Sequence, residues 1–283
     1  MRSPILLVIA ALGIRLFSQS AVAQSWNNHS RDSQHTALSS VTSQPLTAVR
    51  WQTPVDLNPQ YSNGELLIHY GSPLVTLANT LIVPVKTGAS GGFRVEGRNG
   101  ANGSLIWTQT TDYILPPHNW TPSYSPTLTP SQRLYFAGAG GTVFYRDNLD
   151  ANSGATGRLA FYGISNYNLN PGAYNGAVFI NTPITSDAAG NIYFGFQVTG
   201  ANPLNLQSGV ARIASSGVGT FVSASSAAAD VAIIKVVHNC APALSNDGST
   251  LYIAVSIGNF GRGFLLALNS SSLPASAKPT PRP

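Results

Sequence analysis

The chain has one cysteine, one methionine and very little charge: only 9% of its 283 residues are Asp, Glu, Lys or Arg. A single thiol, Cys240, excludes the internal disulfides that hold many small exported domains together. It precedes a predicted strand in "HNCAPAL" and reads as a buried structural thiol. The ten acidic residues are sparse, and several sit in turn phrases such as "SNDGS" and "TSDAAG", where Asp bonds to nearby backbone. No two have the spacing of a general base beside a calcium ligand. Lys and Arg outnumber the acids to give a net charge of +5, but they are scattered and never interleave with aromatics. Nucleic acid is therefore not an expected partner. No Gly-x-Ser-x-Gly elbow occurs, and "GAGG" leads into a predicted strand, which argues against a phosphate-binding loop.

No apolar run is long enough to span a membrane. The longest runs from Ile5 to Leu12, follows Arg2 and is interrupted by Arg15. With Ala21-Val22-Ala23 behind it, this is the pattern of a signal peptide over residues 1–23, cleaved before Gln24. The expected location is secreted or periplasmic. Residues 24–268 then form one domain, and "NSSSLPASAKPTPRP" (269–283) reads as a Ser/Pro-rich flexible tail.

What the chain does have is short apolar runs, 43% hydrophobic residues overall, and abundant turn formers. Four phrases repeat: "GSPLVTLANTLIVPV", "SPTLTPSQRLYFAG", "NTPITSDAAGNIYFGF" and "CAPALSNDGSTLYIAV". Their prolines, Pro73, Pro126, Pro183 and Pro242, lie 53, 57 and 59 residues apart. That period suits a propeller blade. Each phrase supplies a short strand after the proline, a polar turn, and a second strand rich in β-branched and aromatic residues. A third strand follows as "FRVEGR", "TVFYRD", "GVARIA" and "GFLLAL". Closing strands are visible as "SLIWTQ", "GRLAFYG" and "GTFVSAS", but the fourth unit has none. No amphipathic helix is predicted, and "SSAAADVAIIKVV" reads as strand or loop. The prolines are placed structurally, at the starts of inner strands where a missing N–H costs least.

The turn "NGANGSLIWT" resembles the Asp-Ala-x-Thr-Gly-x-x-x-Trp motif of the pyrroloquinoline-quinone-like propellers, matched here by Asn99, Gly100, Asn102, Gly103 and Trp107. Trp26, Asp32, Thr36 and Trp51 are similar to that family's opening, and "LLALNSSSL" resembles its third strand. The resemblance implies an all-β propeller of four-stranded antiparallel blades in which Trp51 and Trp107 are structural. Four units plus the Trp51 strand make four or five blades. Either the Trp51 strand closes the ring against the last blade, or the chain is an incomplete ring. Enzymes of this family use a carboxylate base, a calcium ion and often paired cysteines around an axial quinone. Only the thiol pair is directly excluded by the single cysteine.

Two site candidates remain. His69, His118 and His238 each precede the Pro phrase of a unit, so a shared mouth of the axis could gather them around a metal. The aromatic loops "PPHNWTPSYSP" and "YGISNYNLNPGAYNG" offer His118, Trp120, Tyr124, Tyr167 and Tyr174 as a platform for a glycan or peptide. The combined reading is a secreted, non-enzymatic propeller that binds or scaffolds a glycan, a peptide or another protein through axis-mouth loops. No cofactor is predicted. The alternatives are a quinone- or metal-dependent oxidoreductase using pyrroloquinoline quinone and calcium, and a truncated relative without activity.

Overall fold

The computed structural model describes residues 24–42, 45–67, 71–89, 91–118, 124–258 and 261–273. The predicted signal peptide, His69, Trp120 and residues 274–283 of the predicted tail lie outside these residues. The chain is a β-propeller built from antiparallel blades. A small hairpin comes first, β1 (Gln60–Ser62) and β2 (Glu65–Leu67). It turns on Asn63 and Gly64, both at positive φ, as a two-residue turn between twisted strands requires. Blade 1 holds β3 (Leu74–Val75), β4 (Thr80–Lys86), β5 (Gly91–Asn99) and β6 (Leu105–Ile114) in that order across the sheet. Blade 2 repeats the pattern with β7 (Thr127–Leu128), β8 (Leu134–Ala137), β9 (Thr142–Arg146) and β10 (Thr156–Ala160).

Helices α1 (Ile164–Leu169) and α2 (Pro171–Asn175) connect blade 2 to blade 3, where the sequence suggested only an aromatic loop. Pro171 opens α2 without needing its missing donor, and the Asn170 side chain accepts from the Ala173 amide. In blade 3 the inner edge of β13 (Ile192–Val198) is shared by two short strands, β11 (Val178–Ile180) and β12 (Thr185–Ser186). Strands β14 (Gly209–Ile213) and β15 (Gly219–Ser223) complete that blade. The stretch expected as strand or loop instead begins with α3 (Ala224–Ala228), capped by Ser223, whose hydroxyl accepts from the Ser226 amide. Blade 4 follows with β16 (Lys235–Val236) and β17 (Ala243–Leu244) sharing the inner edge of β18 (Thr250–Ser256), and β19 (Gly263–Asn269) beyond.

Pro73, Pro126 and Pro242 immediately precede the inner strands β3, β7 and β17, and Pro183 stands two residues before β12. One large cluster of buried side chains runs through blades 1 to 3, and a second joins blades 3 and 4. Trp107 lies at the first seam. Its indole N–H donates to the Leu149 carbonyl of blade 2 at 2.6 Å, and the Arg146 guanidinium covers its ring at 4.4 Å. Trp51 packs on the Asn99–Gly103 turn, donating to the Gly100 carbonyl at 3.0 Å. A Cβ on Gly103 would fall 2.6 Å from the Trp51 ring, and φ there is +75°, so only glycine fits. Beside blade 1, Val55 and Leu57 exchange backbone bonds with Lys86, whose buried ammonium donates to Asp56 at 3.0 Å.

Candidate functional site

The segment that follows Gln24 is polar and aperiodic, "SWNNHSRDSQH". It closes a tight turn of its own between Asn28 and Arg31, and its other backbone groups find partners on the inner strands of the blades. The Val75 amide of blade 1 donates to the Trp26 carbonyl at 3.1 Å. The Leu128 amide of blade 2 donates to the Asn27 carbonyl, and the Leu244 amide of blade 4 to the Ser33 carbonyl, each at 2.8 Å. In blade 3 the Ser186 amide donates to Asn28 Oδ1 at 2.7 Å. Val75, Leu128 and Leu244 each stand two residues past the repeat's proline, and Ser186 three. One inner-strand amide per blade thus holds a single segment, folded by a tight turn at Asn28–Arg31, laid across the axis.

Asn28 is the buried hub of this arrangement. Its Oδ1 accepts from Thr127 at 2.5 Å as well as from Ser186, and its Nδ2 donates to the Ser186 carbonyl at 3.2 Å. Gln34 Nε2 adds a bond to the Ser245 carbonyl at 3.1 Å. His29 and His35 meet edge to face at 5.6 Å, with His29 against the Ser72 hydroxyl and His35 near Thr185. Burial and the neighbouring His29 hold the His35 ring below the usual imidazole pKa, against the opposing pull of Asp32. Partial desolvation pushes the Asp32 carboxyl up, but the Thr36 hydroxyl and amide, together with Arg31 and the Gln34 amide, hold it below its ordinary value. Outside the segment lies a recess of about 440 Å³, lined among others by Asn27, Arg31, Asp32, Leu77, Pro130 and Asp187.

The residues singled out from sequence fall elsewhere. Tyr124 is core: its ring stacks on Phe93 at 4.4 Å and its hydroxyl donates to the Ala137 carbonyl at 3.2 Å. Tyr174 stacks on Tyr162 at 4.6 Å, and Tyr167 lies under the Arg158 guanidinium at 4.7 Å. All three tyrosines are buried, so their ring faces are covered by protein and form no open sugar or peptide platform. His118 is half-buried beside the Pro116 carbonyl, 2.7 Å away. His238 lies 2.9 Å from the Asn181 amide nitrogen and 3.4 Å from the Lys235 ammonium. Burial, helped by Lys235, pushes its pKa down to about 4. A lysine ammonium at that distance opposes a cation there. Among the described residues no three His, Cys, Asp or Glu side chains gather as a metal site. Cys240 is half-buried in the turn before β17, not fully enclosed.

The axial residues do not fit a quinone with calcium either. Asn28, Thr127 and Ser186 are bonded to one another, and the nearby carboxylate of Asp187 is taken by Ala189, Asn191 and Tyr193. The Asn99–Gly103 turn serves geometry: Asn99 Oδ1 accepts from the Ala101 amide and Asn102 Oδ1 from the Ser104 amide, each at 2.9 Å. None of Asn27, Asn28, Ser33 or Gln34 was singled out from sequence. The signal available was a polar run of asparagines paired with four equivalent positions downstream of the prolines.

No family model matches the chain, and no curated protein is significantly similar to it. Among solved structures it is similar to the crystal structure of BamB from Moraxella catarrhalis, at 14% identity and a TM-score of 0.37. The match covers 75% of this chain and 56% of that one, so the chain spans just over half the length of that structure. The assignment of the fold rests on the chain's own repeated sheets. No helix among the described residues is long and apolar enough to cross a membrane.

Proposed function

We propose that this propeller is a non-enzymatic binding or scaffolding module acting outside the cytoplasm, and that its partner is a protein or peptide held at the mouth crossed by the N-terminal segment. One observation carries the reading. The inner strands of blades 1, 2 and 4 hold a polypeptide segment, the chain's own Trp26–Gln34, through backbone bonds, and blade 3 holds it through the Asn28 side chain. Recognition through main-chain bonds of this kind suits a polypeptide more than a sugar ring. The adjoining recess presents Arg31, Asp32 and Asp187, charges suited to a partner's polar side chains. A signal peptide ending before Gln24 would deliver a mature chain whose first residues are this segment.

A peptide array and a glycan array probed with the purified protein test the reading. Saturable peptide binding that weakens in Arg31→Glu and leaves glycans untouched is the expected result. A melting temperature raised several degrees by pyrroloquinoline quinone plus calcium, with no peptide bound, would overturn it in favour of the oxidoreductase. Intact-mass measurement on exported protein decides the cleavage site.

A further inference from the structure

Successive blades present a matching residue on the same strand: Ile82, Tyr135, Tyr193 and Tyr252. The first three are sealed by the blade that follows; Tyr135 is 2% exposed and Tyr193 1%. Tyr252 is 38% exposed, and Leu265, on the strand beside it, is 73% exposed. Registers place the rest of this face. Ala254 stands opposite Leu265, Ala243 opposite Tyr252, and Lys235 opposite Ser256. The other face of β18, with Leu251, Ile253 and Val255, is buried against blade 3.

We infer that this face of blade 4 is a docking surface for a second copy of the same chain, blade 4 against blade 4. The surface has the apolar character that joins blades elsewhere in the molecule, so it continues a packing mode already used at every other seam. Charge selects the arrangement. Lys235 lies at the Ser256 end of the face, and Asp247 lies in the turn before Thr250 at the other end. The Ser245 and Ser249 bonds hold Asp247 down to about 2, so it is ionised at neutral pH. A two-fold axis running across the strands reverses one blade against the other, and each Lys235 then meets the partner's Asp247 end. The same axis brings Tyr252 and Leu265 of both copies into one central patch. Parallel stacking would instead set like charges together. An isologous contact of this kind closes after two subunits.

Sedimentation equilibrium of the purified protein tests the proposal. A dimer is expected, and Leu265→Glu or Tyr252→Glu should raise the dissociation constant at least tenfold, about 1.4 kcal/mol, while the circular dichroism and melting curve of the monomer stay unchanged. Lys235→Glu should weaken the dimer at ordinary salt, and adding Asp247→Lys in the same chain should restore it. Because Cys240 is the only cysteine, a Cys240→Ser, Leu265→Cys chain should form a disulfide-linked dimer under mild oxidation. A protein that stays monomeric up to about 100 µM overturns the proposal. So does a dimer that ignores Leu265→Glu, which would place the interface elsewhere. Neither outcome bears on peptide binding at the axial mouth.

Discussion

Blades 3 and 4 are written in nearly the same phrase and live in different surroundings. "NIYFGF" in β13 is buried on both faces, because blade 2 lies on one side and blade 4 on the other. "TLYIAV" in β18 buries only alternate residues. The apolar content of the two strands is alike, so composition does not decide burial; the presence of a next blade does. The difference also separates two uses of one tyrosine. Tyr193 fills a seam and donates its hydroxyl to Asp187 at 2.9 Å, whereas Tyr252 faces outward.

The widest separation should come from truncating that pair. Tyr193→Ala opens a cavity between blades 3 and 4 and removes one of the hydrogen bonds to Asp187, so urea unfolding should show a loss of about 3–5 kcal/mol. Tyr252→Ala, measured where the protein is monomeric, should cost less than about 1 kcal/mol. Equal losses would mean that Tyr252 is covered and that the two blades do not differ as described.

A smaller effect is expected at the axis, where blades 3 and 4 share the N-terminal segment. Asn28→Ala leaves the buried Ser186 amide without its acceptor and removes one partner of the Thr127 hydroxyl, at a cost of about 1–3 kcal/mol. Limited proteolysis should then release residues before Thr36 while the blades stay resistant.

The smallest is a pH effect at the seam between those blades. His238 titrates near 4 in the folded chain and near its ordinary value of 6.5 when unfolded. Between those pH values the unfolded chain binds the proton and the folded chain does not, so stability present above pH 6.5 declines as pH falls toward 4. With the ring partly exposed, the loss is on the order of 1–2 kcal/mol. His35 acts in the same direction. The Asp32 and Asp247 carboxylates act only below their ordinary range, at lower pH. Denaturation midpoints from pH 7 to 4 should flatten in His238→Asn.

The repeated phrases made the blades legible because proline, a polar turn and a β-branched run each have a local cause. The three closing strands were readable for the same reason. Helices α1, α2 and α3 were not, since all three are short, and α2 and α3 depend on capping by Asn170 and Ser223 more than on periodicity. The candidate site was hardly legible. Tyr124, Tyr167 and Tyr174 sit among asparagines and prolines that suggest a surface loop, yet tertiary packing buries them. The N-terminal segment carries no pattern of its own, because its partners lie as far away as residue 245.

Native-state hydrogen exchange at the amides of Val75, Leu128, Ser186 and Leu244 tests most directly whether one segment is held by all four blades. In the intact protein these four amides should be protected, and in a chain lacking residues 24–37 all four should exchange faster together while the second-strand amides of each blade stay slow. Unchanged protection at the four positions after that deletion would contradict the account.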